Sequence, residues 1–316
     1  MSEVTVVIPN YKGKQYLCAC VQSLYESTDL DLDVLIVDNA SNDGSVEEVK
    51  KAYPKVRFVM LDQNYGFCKA VNIGIQKSDT PFVFLLNNDT LVCKGAVEAL
   101  LSAVRQDERI FSVESKMLQY QDHSRLDSAG TYYNALGWAF ARGKDKPACR
   151  YQKKEDTFAA CGGAAIYRKK VFEEIGYFDE RHFAYLEDVD LGYRAKIFGW
   201  RNVYEPRARI IHVGSASSGS RYNEFKIRLS ARNNLYMIYK NMPVLQIVLN
   251  LPFLLVGFLI KYLFFLKKGM GNIYLKGLKE AFSLMKKKKK VLYKTERFWN
   301  YLKIQMDLWI NILRLI

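Results

Sequence analysis

The chain has 316 residues, 49% hydrophobic and 25% charged, which suits a folded globular body and excludes a disordered polymer or a disulfide-stapled mini-protein. Its six cysteines are scattered, with no Cys-x-x-Cys pair; this argues against a zinc ribbon and for buried free thiols in a reducing compartment. Net charge is +14, but residues 241–316 hold 14 lysines and arginines against three acids, so +11 of it belongs to the last quarter.

The chain enters a strand pattern within a few residues, so no secretory signal is expected. Val4–Ile8 is a β-branched run, and Gln15–Ser27 has helical spacing of apolar residues. Asp33–Val37 and Val56–Leu61 are further strands, each followed by a helix, at Ser45–Tyr53 and Gly66–Gln76. Phe82–Leu86 is a fourth strand and Lys94–Arg105 a fourth helix. Such alternation predicts βαβ units and a mostly parallel sheet in an α/β fold.

Near Met117 the rhythm breaks, and residues 118–158 read as an insertion of loops and short strands. Regular structure returns at Ala159–Tyr167, with helices near Lys169–Ile175 and Glu187–Gly199 and short strands at Asn202–Tyr204 and Arg209–Val213. A Gly/Ser-rich segment, Gly214–Ser220, precedes a helix at Tyr222–Lys240. Val244–Leu266 is apolar and long enough for one bilayer crossing. Lys267, Lys268 and Lys286–Lys290 follow it, however, and a crossing would strand either the body or these lysines on the far side. Helices lying in the interface, or a re-entrant hairpin broken at Pro252 or Gly257, keep both on one side. Trp299, Tyr301 and Trp309 suit a second interfacial helix, with the lysines against anionic headgroups. The expected location is the cytoplasmic face of the cell membrane, peripheral or monotopic; a helical core extension is the alternative.

Candidate chemistry gathers at strand ends. Asn10 and Tyr11 follow Ile8-Pro9 and offer an amide and an aromatic face to a nucleobase. Asp38 and Asn39 open Asp-Asn-Ala-Ser-Asn-Asp-Gly-Ser, where a carboxylate can accept from a base or a ribose and Asp43-Gly44-Ser45 makes a turn. Asn64 and Gly66 lead into Ala70-x-Asn72-x-Gly74, whose small residues permit close approach to a ligand or strand. Asn87-Asn88-Asp89 ends the fourth strand. Parallel strands would bring these ends to one sheet edge, where α/β folds bind ligands.

Together the four segments V-I-P-N-Y, V-D-N-A-S-N-D-G-S, N-Y-G-F-C-K-A-V-N-I-G and L-L-N-N-D resemble family 2 glycosyltransferases of the GT-A fold, within them the bacterial rhamnosyltransferase-type subgroup, over residues 3–240. The resemblance implies a nucleotide-binding set of Pro9, Asn10, Asp38 and Asn39, with Asn88-Asp89 at the D-x-D position; Asn87 stands where the first acid would be. It also implies a catalytic base at Asp188, second residue of Glu187-Asp188; Glu187 beside it could bind an acceptor hydroxyl. The donor would be dTDP-L-rhamnose or a UDP-hexose, the acceptor a saccharide or polyprenyl-linked glycan, and the cofactor a divalent cation, Mg2+ or Mn2+. Residues 1–240 would form the catalytic domain, and 241–316 a helical membrane-associating region.

Four further readings complete the site. Cys161-Gly162-Gly163 would let a sugar or acceptor approach the backbone closely. His212 follows an apolar strand and would be a metal ligand or diphosphate donor if it faces Asp89. Arg221, Arg232 and Asn233 could close over phosphates. Asp190 is read as structural, paired with Arg194. Two competing functions are a basic nucleic-acid-binding protein and a catalytically silent nucleotide-sugar binder, the latter motivated by the incomplete D-x-D. The lysines stand among Trp, Phe and Leu at interfacial spacing, so no nucleic-acid partner is expected.

Overall fold

A computed structural model describes residues 2–214, 223–285 and 290–315. Arg221, the Gly/Ser-rich stretch after Gly214, and Lys286–Lys290 except its last residue lie outside them. The first half runs β1 (Val4–Asn10), α1 (Leu17–Ser27), β2 (Asp33–Asp38), α2 (Ser45–Ala52), β3 (Arg57–Met60), α3 (Phe67–Gln76) and β4 (Phe82–Leu86). A short β5 (Thr90–Val92), α4 (Ala96–Arg105) and a ten-residue β6 (Ile110–Gln119) follow. Next come β7 (Leu126–Ser128), β8 (Thr131–Tyr133), β9 (Ala139–Ala141), β10 (Glu155–Thr157) and β11 (Ala164–Arg168). After α5 (Val171–Ile175) and α6 (Glu187–Ile197), β12 (Arg201–His212) closes the sheet. Four helices end the chain: α7 (Glu224–Asn241), α8 (Val244–Lys267), α9 (Gly271–Met285) and α10 (Phe298–Leu313).

The main sheet has the order β10-β12-β6-β11-β4-β1-β2-β3. β1 to β4 pair in parallel, as their alternation with helices predicts. The other half is mixed: β11 runs antiparallel to both β4 and β6, while β12 is parallel to β6. Val6 and Ile8 of β1 face α1 and α4 in one apolar layer, and Val7 faces α3 on the other side. Both faces are therefore covered, which explains uninterrupted apolar strands such as Phe82–Leu86. Gly74 has a packing reason: a Cβ there would lie 2.2 Å from Val7 Cγ1. We expect Gly74→Ala to lose about 1–3 kcal/mol in chemical denaturation; an unchanged midpoint would show that α3 can move off β1.

Two sequence expectations are corrected. β6 was not anticipated, because Ser112, Glu114, Ser115 and Lys116 are polar yet buried in the sheet. The two short strands at 202–204 and 209–213 are one strand, β12, whose register with β6 shifts between Glu205 and Arg209. Pro206 sits within that irregularity, where a missing N–H costs no ladder bond.

The C-terminal helices are fastened to the body. α8 is a single helix through Pro252 and Gly257, so the broken-hairpin expectation is not met. One side of it packs along its length. Tyr193 Oη donates to Gln246 at 2.6 Å, Asn250 and Gln305 of α10 exchange amide bonds at 2.8 and 2.9 Å, and Trp138 Nε1 donates to the Gly257 carbonyl at 3.1 Å. The opposite side is bare: Val244, Leu245, Val248, Leu255 and Leu259 are 56–69% exposed. α10 also exposes apolar side chains, Trp299, Met306 and Ile310.

Candidate active site

β1 and β2 end level, Asn10 opposite Asp38. Asn10 Nδ2 donates to Asp38 Oδ1 at 2.7 Å and reaches the Ser45 hydroxyl at 3.0 Å, while Asn88 Nδ2 donates to Asn10 Oδ1 at 2.7 Å. These bonds lock three strand ends together. Gly13 covers them closely, since a Cβ there would lie 2.1 Å from Asn10 Oδ1. Asn39 accepts from the Tyr65 N–H and donates to the Gly66 carbonyl, both at 3.3 Å, which fastens the loop after β3 to the end of β2. Gly66 is in a left-handed conformation (φ 85°) with Phe183 so near that a Cβ would lie 2.6 Å from its ring.

Antiparallel β11 brings in the acceptor-side turn. The Asn87 N–H donates to the Gly163 carbonyl at 2.8 Å, joining Cys161–Gly163 to the end of β4. Beneath that turn lies Glu114, fully buried on β6, accepting from Ser128 Oγ at 2.7 Å and the Cys161 N–H at 3.2 Å. Burial pushes its carboxyl up to about 7. The pairing of β5 with β12 sets His212 beside Thr90, and the Val213 N–H donates to the Asp89 carbonyl at 3.0 Å. His212 Nε2 lies 3.5 Å from Asp89 Oδ1, and Nδ1 is 2.8 Å from Asp127 Oδ2. Burial alone would lower this imidazole, but its bonds to Asp127 and Asp89 outweigh that and push it up to about 9.

The loop before α6 carries backbone strain. Phe183, Tyr185 and Leu186 all have φ between 64° and 72°, a conformation that non-glycine residues adopt only when their surroundings enforce it. Here Asn233 of α7 does so: its Nδ2 donates to the carbonyls of His182, Ala184 and Tyr185 at 3.0, 2.8 and 2.8 Å. Glu187 and Asp188 then start α6. Asp188 accepts from the Val189 N–H at 2.7 Å and faces Cys161 and Gly162. Burial raises both carboxyls, and for Glu187 repulsion from Asp188 adds to it.

The strand ends, the Cys161–Gly163 turn and the start of α6 border one cleft of about 1010 Å³. Pro9, Asn10, Tyr11, Asn39, Asn64, Gly66, Asn88 and Asp89 line it on one side, and Cys161, Gly162, Gly163, Glu187 and Asp188 on the other. Four expected site residues do not reach it. Asp38 is buried behind Asn10, accepting from Asn10, the Ser41 N–H and the Ser41 hydroxyl. Asn72 clamps the backbone of Phe178 in both directions, at 2.9 and 3.0 Å. Arg232 donates to the carbonyls of Arg181 and His182, and so braces the strained loop rather than a phosphate. His212 is not part of the wall, but its side chain keeps 17% of its surface exposed beside Asp89, so an ion held by both would sit at the edge of the cleft. Asp127, Glu114 and the bracing role of Asn233 were not anticipated.

Among the described residues no group of three or more His, Cys, Asp and Glu side chains could hold a metal. Asp89 with His212, whose far nitrogen is oriented by Asp127, nevertheless forms a carboxylate–imidazole pair with the orienting carboxylate common at metal sites. These two would suit a cation whose binding displaces the proton that the raised His212 imidazole holds at neutral pH, its remaining positions being filled by diphosphate oxygens and water.

The family model described as glycosyl transferase family 2 matches residues 5–176. The chain is 30% identical, over 68% of its own length and 77% of the relative's, to N-acetylglucosaminyl-diphospho-decaprenol L-rhamnosyltransferase of Mycobacterium tuberculosis. Among solved structures it is similar to GalNAc-T7 with UDP, GalNAc and Mn2+ (TM-score 0.61, 16% identity, covering 75% of this chain and 48% of that one). It is also similar to the Pyrobaculum calidifontis mannosyltransferase with GDP-Man and Mn2+ (TM-score 0.56, 17% identity, covering 97% and 84%). These likenesses establish the GT-A fold, and the chain belongs to the family 2 glycosyltransferases.

Proposed function

We propose that the protein is an inverting transferase that moves rhamnose or a hexose from a nucleotide-diphosphate donor to a polyprenyl-linked saccharide during cell-surface polysaccharide synthesis. The observation carrying this reading is that Asp188 and Asp89 border the same cleft as the interlocked strand ends of β1 and β4. Asn10, Tyr11 and Asn39 hold the nucleotide, with Asn64, Gly66 and Asn88 beside it. Cys161–Gly163 and Glu187 receive the acceptor. Asp188 takes the proton of the acceptor hydroxyl as its oxygen attacks the anomeric carbon. The bond from that carbon to the diphosphate breaks, and its electron pair leaves with the nucleoside diphosphate. Asp89 and His212 would hold a Mg2+ or Mn2+ ion, which when bound neutralises charge on the leaving diphosphate.

The mycobacterial relative's substrate is lipid-linked by name, and the bare apolar side of α8 gives such an acceptor a meeting place. Among the described residues α8 is the one helix long and apolar enough to cross a membrane, with mean hydropathy 2.1. Its polar residues are spoken for, Gln246 by Tyr193 of the body and Asn250 by Gln305 of α10, so we read it as lying in the cytoplasmic interface rather than crossing. Leu255→Asp with Leu259→Asp should cut co-sedimentation with anionic vesicles by about tenfold or more, leaving the fold intact by circular dichroism; undiminished co-sedimentation would reject this attachment.

A panel of labelled dTDP-, UDP- and GDP-sugars, offered with a polyprenyl-diphosphate-linked N-acetylglucosamine and Mg2+ or Mn2+, tests the catalytic reading. Transfer from one donor, abolished by chelation, is expected. Neither transfer nor hydrolysis from any donor would favour a silent binder.

A further inference from the structure

Next to the catalytic cleft, between α7, α8 and α9, lies a second cavity of about 210 Å³. Tyr185 and Ser230 line both spaces, so the two adjoin. Lys226 and Lys261 line the second cavity together with Tyr274, and no acidic residue does. Lys261 is the only charged side chain in the first 23 residues of α8. Among the described residues no carboxylate comes within ion-pair distance of it, and its described contact is the Trp138 ring at 5.8 Å. A second, separate feature points the same way. Tyr274 is 2% exposed, and among the described residues its buried hydroxyl has no hydrogen-bond partner. A buried donor with no acceptor is costly, so a ligand that accepts from this hydroxyl in the cavity would gain what the fold leaves unpaired.

Position adds the rest. Exposed Leu259, Ile260, Leu263 and Phe264 surround Lys261 along α8, so the cavity stands between the cleft and the bare apolar side of that helix. A lipid-linked acceptor has the same three parts in the same order: saccharide, diphosphate, isoprenoid chain.

We propose that the cavity walled by Lys226, Lys261 and Tyr274 binds the diphosphate of the polyprenyl-linked acceptor, holding the saccharide in the cleft and directing the lipid along α8. This rests on the transferase reading above and names how its acceptor is recognised. Lys261 supplies charge and Tyr274 a hydroxyl donor. The Trp138 ring beside Lys261 reports occupancy.

The test uses the full chain in uncharged detergent with EDTA, so that no cation can hold a diphosphate at Asp89 and His212. Binding of farnesyl diphosphate, farnesol, inorganic diphosphate and dihexanoyl phosphatidylglycerol is followed by tryptophan fluorescence. The wild type should bind farnesyl diphosphate about tenfold or more tightly over farnesol, the gain expected of charge-assisted hydrogen bonds. Lys261→Met should remove most of that preference, Tyr274→Phe should reduce it, and Lys261→Arg should keep it; in a separate titration with Mn2+ and no EDTA, UDP binding should be unchanged in all three. The proposal is overturned if Lys261→Met keeps the full preference. It is equally overturned if inorganic diphosphate or phosphatidylglycerol shows the same Lys261-dependent gain, since the site would then serve a free anion or bulk lipid. Loss of UDP binding or of sugar transfer in the wild type would strike the transferase reading instead, and the farnesyl comparison would still be read by itself.

Discussion

Asp188→Asn should lower sugar transfer by about 10²–10⁴-fold, the range for loss of a general base, while nucleotide binding survives. The amide keeps the size of the carboxylate and can keep its contacts with Val189 and Gly162, so the fold should tolerate it. It cannot accept a proton. Isothermal titration with the nucleoside diphosphate, beside a transfer assay, separates the two effects, and undiminished turnover would remove Asp188 from the role. A pH dependence accompanies this. Burial raises the Asp188 and Glu187 carboxyls, and a base must be ionised to act. Activity should therefore fall about tenfold per unit of acidification below a midpoint well above the ~3.9 of a free aspartate. The pair's effect on stability has the opposite sign. Between the unfolded and the raised folded values the native state holds more protons, so the stability it contributes declines as pH rises through that window.

Asp190→Ala should destabilise the protein by about 3–5 kcal/mol, the usual consequence of stripping one partner from a buried ion pair. Asp190 is fully buried and accepts from Arg194 at 3.0 Å, Lys240 at 2.8 Å and Asn241 at 2.9 Å. Lys240 also reaches Asp179 at 2.9 Å, so one cluster ties α6, which carries Asp188, to α7, which braces the loop before it. Burial alone would raise the Asp190 carboxyl, but Lys240 and then Arg194 hold it well below the ordinary range. Its contribution is therefore present at neutral pH and lost in acid, as pH falls through that depressed value. Chemical denaturation at pH 7 gives the comparison. The partly exposed pair Lys196–Asp307 serves as control, where Asp307→Ala should cost about 1 kcal/mol or less. Equal losses at the two sites would refute the account of the cluster.

The parallel half of the fold and the cleft-facing strand ends were legible because their signals are local. An apolar strand, a polar end and a helix succeed one another within 30 residues, and parallel pairing then aligns the ends. The antiparallel half was harder, since β6 buries Glu114 and Lys116 among its apolar residues and so hides its alternation. Asp127 bonds to a histidine 85 residues away through pairings that no local pattern announces. Asp38, Asn72 and Arg232 stand outside the cleft wall for one shared reason. Groups that suit a ligand also suit other protein groups: Arg232 and the Asn72 amide hold backbone, and Asp38 holds Asn10 and Ser41. The pairing of Asp190 with Arg194 was readable from their i, i+4 spacing on one helix.

Crystals grown with a nucleoside diphosphate and Mn2+, measured at the manganese absorption edge, test the convergence of the cleft most directly. The account predicts one anomalous peak at coordinating distance from Asp89 and His212, the base against Asn10, Tyr11 and Asn39, and Asp188 across an open space from the terminal phosphate. A nucleotide seated elsewhere, or one whose terminal phosphate points away from Asp188, would contradict it.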